Sequence, residues 1–182
     1  TFSDTNGTRI GVHDAASGTI VDLAAATRLP KDMTSFIALG RNGLKRARAA
    51  VKSGGSRLPL AGVRLHAPIP RPTKNILCVG KNYYDHAREF HNSGVDASAG
   101  KDPIPELPIM FTKWPNSVIA SGEPIPSWLD HTNSTDYEGE LTVVIGPGGR
   151  GIAKQDAFDH VYGYTIINDA TARTLQKEHR QW

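Results

Sequence analysis

A chain of 182 residues with 38% hydrophobic and 21% charged residues is long enough to bury a sizeable core, as one large domain or a small one plus part of another, and its balance is not that of a disordered chain. Its 21 basic and 18 acidic residues give a formal charge of +3, mixed along the chain with no concentrated basic stripe, so nucleic acid is not an expected partner. No apolar run approaches a membrane span, and Thr1-Phe2-Ser3-Asp4 lacks a basic segment leading into an apolar one, which excludes a membrane role and points to an intracellular, cytoplasmic protein.

In chain order, Thr8–Val12 alternates, Ala16-Ser17-Gly18 turns and Thr19–Leu23 returns, a hairpin pattern within a small β-unit over residues 8–29. Asp32 to Ser53 fits a pair of helices, broken by Gly54-Gly55. Pro68, Pro70 and Pro72 stiffen residues 64–74 into an extended junction. The chain is therefore expected to divide into a small module over 1–70 and a second domain over 71–182. Residues 75–80 are expected as a short buried strand, with Cys78, the only cysteine, a small buried hydrophobe within it. Tyr83–Phe90 suits one or two helical turns. Residues 91–108, rich in Gly, Ser, Asp and Pro, read as a long mobile loop. Strands are expected at 109–113, from Glu138 to Gly146, and at 163–167, with a turn at Gly122 and Pro124 and a hairpin turn over 146–151. A short helix is expected at 156–161. A helix over 170–179 would have Asn168 or Asp169 near its N-cap. Asn133-Ser134-Thr135 fits a glycosylation sequon, a chance match without a secretory leader. The chain lacks an initiating Met and stops at Trp182 in a helical stretch, so both ends read as cut.

The chemistry concentrates around Asp136-Tyr137-Glu138-Gly139-Glu140 and Asn168-Asp169. In an extended strand Glu138 and Glu140 share a face, while Gly139 leaves the other side open. Parallel carboxylates repel unless something positive sits between them, so Glu138, Glu140 and Asp169 are three hard oxygen donors suited to Mg2+ or Mn2+. The same residues also suit a solvated strand edge and a helix cap. His86 and Glu89 are three apart, on one face of a helix, where a carboxylate would orient an imidazole as a water-activating base; an exposed charge pair has the same spacing. Arg173 and Gln176 would share the face of a helix starting at Asp169, and a guanidinium fork suits bidentate recognition of a substrate carboxylate. Lys113 is a similar candidate. Both cations also fit as plain surface residues. Gly146–Gly151 has neither the lysine nor the helix start of a phosphate loop.

Four stretches in register, Ile76–His86, Pro108–Lys113, Asp136–Leu141 and Gly163–Arg173, make the chain from about Lys74 onward resemble the fumarylacetoacetate hydrolase family. The resemblance implies a β-rich α+β fold, a mixed β-sheet roll or sandwich core with short helices behind a small N-terminal β-domain. It implies Mg2+ or Mn2+ held by Glu138, Glu140 and Asp169, a lid helix carrying His86 and Glu89, short 2-oxo acid substrates such as acylpyruvates, and a homodimer. Members continue past the position of Trp182 into further strands. The expected reaction is metal-assisted hydrolysis of a carbon–carbon bond in an acylpyruvate such as fumarylpyruvate. In it, charge on the leaving enolate develops against the cation and His86 deprotonates a water. Decarboxylation, isomerisation or hydration of a 2-oxo dicarboxylic acid uses the same stabilisation. A non-catalytic metal-binding assembly module is the alternative of another class.

Overall fold

The computed structural model describes residues 1–26, 28–92 and 102–180; most of the loop expected over 91–108 lies outside them. The chain is a mixed α/β fold of many short strands and few helices. Its strands are β1 (Phe2–Asp4), β2 (Gly7–Arg9), β3 (Gly11–Asp14), β4 (Thr19–Asp22), β5 (Arg57–Pro59), β6 (Arg64–Leu65), β7 (Ile76–Gly80), β8 (Ile109–Lys113), β9 (Thr135–Asp136), β10 (Gly139–Ile145), β11 (Val161–Asn168) and β12 (Thr171–Ala172). The helices are α1 (Leu23–Ala26), α2 (Met33–Ala38), α3 (Gly40–Lys52), α4 (Tyr84–Asn92) and α5 (Arg173–His179). Among the described residues the strands form small sheets of two or three, in the orders β2-β1-β6, β3-β4-β5, β7-β8, β10-β11 and β12-β9. No helix among them is long and apolar enough to cross a membrane.

The chain divides into two compact units, one of Thr1–Pro72, Val118–Glu123 and Leu141–Ile166, the other of Thr73–Ser117, Pro124–Glu140 and Ile167–Trp182. The first change of unit falls in the proline-rich junction, but two later segments also join the first unit.

The first unit is built on the expected hairpin. Gly11 pairs with Asp22 and Asp14 with Thr19, and β5 adds to the other edge of β4. Gly11 is required by close approach, because a Cβ there would collide with the Ile20 side chain. Asp32 caps α2 by accepting from the Ser35 amide at 2.8 Å, a bond that satisfies a helix-end donor. Helix α3 then turns Gly43, Ala47 and Ala50 inward, on a spacing that keeps small residues on one face. They complete a core of Ile10, Leu23, Leu29 and Phe36, against which Leu44 and Tyr162 pack. Arg9, also buried, donates to Asp22 at 2.5 Å and forks onto Asp4 at 2.7 and 2.8 Å.

Three expectations are corrected. Strand β7 is not buried: Leu77 is 70% exposed and Cys78 half-buried, because among the described residues β7 pairs only with β8 and one face of that ribbon, Leu77, Val79 and Met110, is open. Helix α5 starts at Arg173, with Ala172 at the N-cap position and no side-chain bond from it, not at residue 170, because Thr171 and Ala172 are drawn into strand β12. The turn after β10 is part of a longer connection, with the Gly146 amide bonded to the His160 carbonyl at 2.8 Å and a 3-10 helix over Lys154–His160.

Candidate active site

In the second unit, two stretches far apart in sequence are sewn together by backbone. Asp136 pairs with Thr171 and Thr135 with Ala172. The Asp169 amide donates to the Glu138 carbonyl at 2.8 Å, and the Glu138 amide donates to the Asn168 side-chain oxygen at 2.9 Å. The Arg173 amide reaches the Ser134 carbonyl at 3.1 Å, and the Thr174 amide the Ser134 hydroxyl at 2.9 Å. Ser134 therefore caps the start of α5, the task expected of Asn168 or Asp169. Asp130 in turn accepts from the Thr132 and Ser134 amides and from the Thr135 hydroxyl; the Thr132 hydroxyl bond and these donors hold its carboxyl far below the usual carboxylate range. The result is a rigid acidic ledge. As expected, Glu138 and Glu140 are both half-buried while Gly139 is exposed, and a Cβ added at Gly139 would meet nothing.

Each carboxylate on the ledge has a partner. Lys113, at the end of β8, reaches the buried Asp169 at 2.7 Å. Arg173 donates through Nη1 to Glu138 at 2.5 Å and to Gln176 at 3.3 Å, and through Nε and Nη2 to Asp136 at 3.1 and 3.0 Å. Burial works against the guanidinium charge, but Glu138 and Asp136 outweigh it and push the Arg173 pKa up. Glu140 shifts the opposite way to most carboxyls. Burial raises it first, a Tyr83 hydrogen bond opposes, and the charges of Glu138 and Asp169 raise it further. Burial, reinforced by the charge of Asp169, likewise lifts the Cys78 thiol to about 11, so Cys78 is an inert thiol rather than a nucleophile.

A cavity of about 610 Å³ opens beside the ledge, lined by His86, Glu89 and Phe90 of α4, Asp136 and Tyr137, and Arg173, Thr174, Gln176 and Lys177 of α5. This size suits a small metabolite. The structure thus brings His86, Glu89, Arg173 and Gln176 to one wall; Glu138, Glu140, Asp169 and Lys113 are not part of it. The His86 ring lies tilted on Phe90 with centroids 5.9 Å apart. Several side chains that build the site are not singled out by sequence pattern. Buried Lys81, in the left-handed region at φ 53°, holds its ammonium 5.8 Å from the Phe90 centroid. Tyr83, bonded to Glu140, and Lys177, on the cavity lining, complete the set. Of these, Lys81 and Tyr83 fall within the Ile76–His86 stretch that carries the family resemblance, which is the visible signal for them.

The donor chemistry of Glu138, Glu140 and Asp169 suits a divalent cation, because all three offer hard carboxylate oxygens and the Asp169 amide is bonded to the Glu138 carbonyl. They do not form a finished cage here. Among the described residues no three His, Cys, Asp or Glu side chains stand close enough to hold an ion, and Lys113 and Arg173 neutralise two of the three.

Comparison with known proteins adds a lineage to this geometry. Residues 75–182 match the family described as fumarylacetoacetate (FAA) hydrolase C-terminal. The oxaloacetate tautomerase YisK of Bacillus subtilis is 53% identical over 129 residues, covering 71% of this chain and 40% of that protein. Among solved structures, a fumarylacetoacetate hydrolase from the psychrophile Exiguobacterium antarcticum superposes with a TM-score of 0.71 at 38% identity, covering 99% of this chain and 58% of its own. A maleylpyruvate hydrolase from Sphingobium sp. SYK-6, described in complex with manganese(II) and pyruvate, gives 0.66 at 26%, covering 94% and 58%. The chain spans about half the length of the curated relatives it matches.

Proposed function

Since this chain belongs to the fumarylacetoacetate hydrolase family, we propose that it forms part of an enzyme that interconverts the enol and keto forms of a short 2-oxo dicarboxylic acid of the oxaloacetate type. The observation that carries this reading is the shared wall on which His86, Glu89, Arg173 and Lys177 meet. Tautomerisation needs one proton taken from the enol oxygen and one delivered to the adjacent carbon, with no water consumed. An imidazole and a carboxylate on one helix face supply a donor and an acceptor for that exchange. A dicarboxylate needs two cations. Arg173 offers one of them, with Gln176 beside it, while the Lys177 ammonium has no acidic partner among the described residues. Arg173 has a second task, since its bonds to Asp136 and Glu138 fix the ledge against the cavity.

Glu138, Glu140 and Asp169 would hold a divalent cation, Mg2+ or Mn2+, which supplies Lewis-acid polarisation of a 2-oxo group when bound. The description of the Sphingobium hydrolase with manganese(II) supports a divalent cation as the cofactor. The same relative favours the second reading, hydrolysis of an acylpyruvate, in which His86 deprotonates a water that attacks the distal carbonyl. A homodimer in the cytoplasm completes the proposal.

The test is a rate measurement with oxaloacetate and with an acylpyruvate, with and without Mg2+ or Mn2+. Enol–keto conversion that falls at least tenfold in His86→Ala and in Arg173→Met, with the acylpyruvate untouched, is the expected result. Turnover of the acylpyruvate alone would establish the second reading, and full activity of His86→Ala would overturn the proton-transfer role.

A further inference from the structure

The charge of +3 conceals an asymmetry. Residues 1–72 carry eleven Lys and Arg against four Asp and no Glu, a formal +7, whereas residues 73–182 carry ten against fourteen, a formal −4. The basic residues are therefore not evenly mixed, and helix α3 gathers five of them, Arg41, Lys45, Arg46, Arg48 and Lys52, with no acid at all.

Arg41, Lys45, Arg48 and Lys52 follow one another at intervals of four, three and four, which places them on one helix face. Along the axis they span about 16 Å at 1.5 Å per residue. All four are exposed, and with Ala49 they line a groove of about 340 Å³. None has a side-chain hydrogen bond or ion pair among the described residues. The acids of the module are engaged elsewhere: Asp4 and Asp22 hold Arg9, Asp14 holds Arg57, and Asp32 caps α2. Helix stability does not explain the stripe. Like charges three and four apart each destabilise a helix by roughly 0.2–0.5 kcal/mol, and Arg41 sits in the first turn, where the helix dipole favours an anion. The opposite face, Gly43, Ala47 and Ala50, is packed in the core, so the stripe is held rigidly outward.

We infer that this face of α3 binds the phosphate backbone of duplex nucleic acid, without reading its sequence. A polyanion is the complement of four unpaired cations in a row, and two of the four are arginines, whose forks match phosphate oxygens. Between the cations the groove exposes only Ala49, with no aromatic or long apolar side chain. A bilayer-binding helix needs such an apolar wedge, and a single strand needs aromatic platforms for its bases. Backbone contacts to a duplex need neither.

Fluorescence anisotropy of a labelled 20-base-pair duplex of arbitrary sequence, titrated with the intact chain over a NaCl series, tests the inference. Four phosphate contacts predict a slope of log K against log salt of about −3 to −4. The quadruple variant Arg41→Gln, Lys45→Gln, Arg48→Gln, Lys52→Gln should bind at least tenfold more weakly, with a slope near zero, and Arg150→Gln with Lys154→Gln should leave both unchanged. Should the quadruple variant fail to fold by circular dichroism, the pairs Arg41/Lys45 and Arg48/Lys52 each report half of the slope, and Arg41→Lys with Arg48→Lys preserves it. Equal binding by the stripe variants overturns the inference. So does tighter binding to vesicles with 30% phosphatidylserine, or to polyglutamate, than to the duplex at the same salt.

Discussion

The two units of this chain solve opposite problems with similar materials. In the first, the fully buried side chains Phe2, Ile10, Val21 and Leu23 are apolar, and the buried charges Arg9 and Asp22 neutralise one another. In the second, the buried residues among those described are Lys81, Ala87, Asp169 and Thr171, while large apolar side chains such as Leu77 and Met110 stand exposed on β7 and β8. A core of interlocking hydrocarbon stabilises by burial and is indifferent to pH. A core of paired charges stabilises little and is set up to exchange partners. Apolar burial thus belongs to the first unit, and paired ionisable side chains concentrate in the second.

The largest effect that tests this division is Phe36→Ala. Phe36 is buried, edge-on to Tyr162 with ring centroids 6.5 Å apart, and its removal leaves a cavity worth about 3–5 kcal/mol. Denaturant unfolding followed by far-ultraviolet circular dichroism should show that loss, and a loss under 1 kcal/mol would mean the α2–α3 core is not what holds the unit. Next is Arg9→Met, which strands the carboxylates of Asp4 and Asp22 and should destabilise by about 3 kcal/mol. It also carries a pH test. The Arg9 hydrogen bond, helped by the Asn6 amide, holds the Asp4 carboxyl down to about 2, so its contribution is full above the ordinary value near 3.8 and is lost as pH falls toward 2. In Arg9→Met that acid limb should flatten.

Lys113→Met probes the other side. It leaves Asp169 buried without its cation, a change of about 2 kcal/mol in stability, below that of either core variant. If the division holds, the activity lost should far exceed the stability lost. A variant that unfolds readily yet retains its rate when folded would erase the distinction between the units.

Much of this was legible in the chain because local pattern and final environment agree. Ile109–Lys113 alternates and is a strand with those limits; the α2–α3 pair and its glycine break follow from helix periodicity and turn chemistry alone. What was not legible depends on partners remote in sequence. Thr171 and Ala172 look helical until Thr135 and Asp136 pair with them. Apolar Leu77 suggests burial, but only neighbouring strands can cover it. The acidic ledge was visible as Glu-Gly-Glu and Asn-Asp, whereas its neutralisation by Lys113 and Arg173 required the third dimension. The basic face of α3 was written in plain sequence and disappears only when charge is summed over the whole chain.

A smaller effect, at Glu140, differs between the units in sign and not in size. Glu140 has its pKa raised, by burial first and then by the charges of Glu138 and Asp169, so the folded chain binds its proton more tightly than the unfolded chain does. Its contribution to stability is most favourable below the ordinary value near 4.5 and declines as pH rises through the raised folded value. Asp4, in the other unit, has the opposite slope. Glu140→Gln removes the ionisation while keeping the size, and above pH 5 it should leave stability unchanged or slightly higher. Urea midpoints measured between pH 4 and 7 for this variant and the parent should converge at the acid end and separate at the neutral end. A variant less stable than the parent at pH 7 would mean that Glu140 is stabilised as a carboxylate, and the second unit would then hold its charges for structure, as the first does.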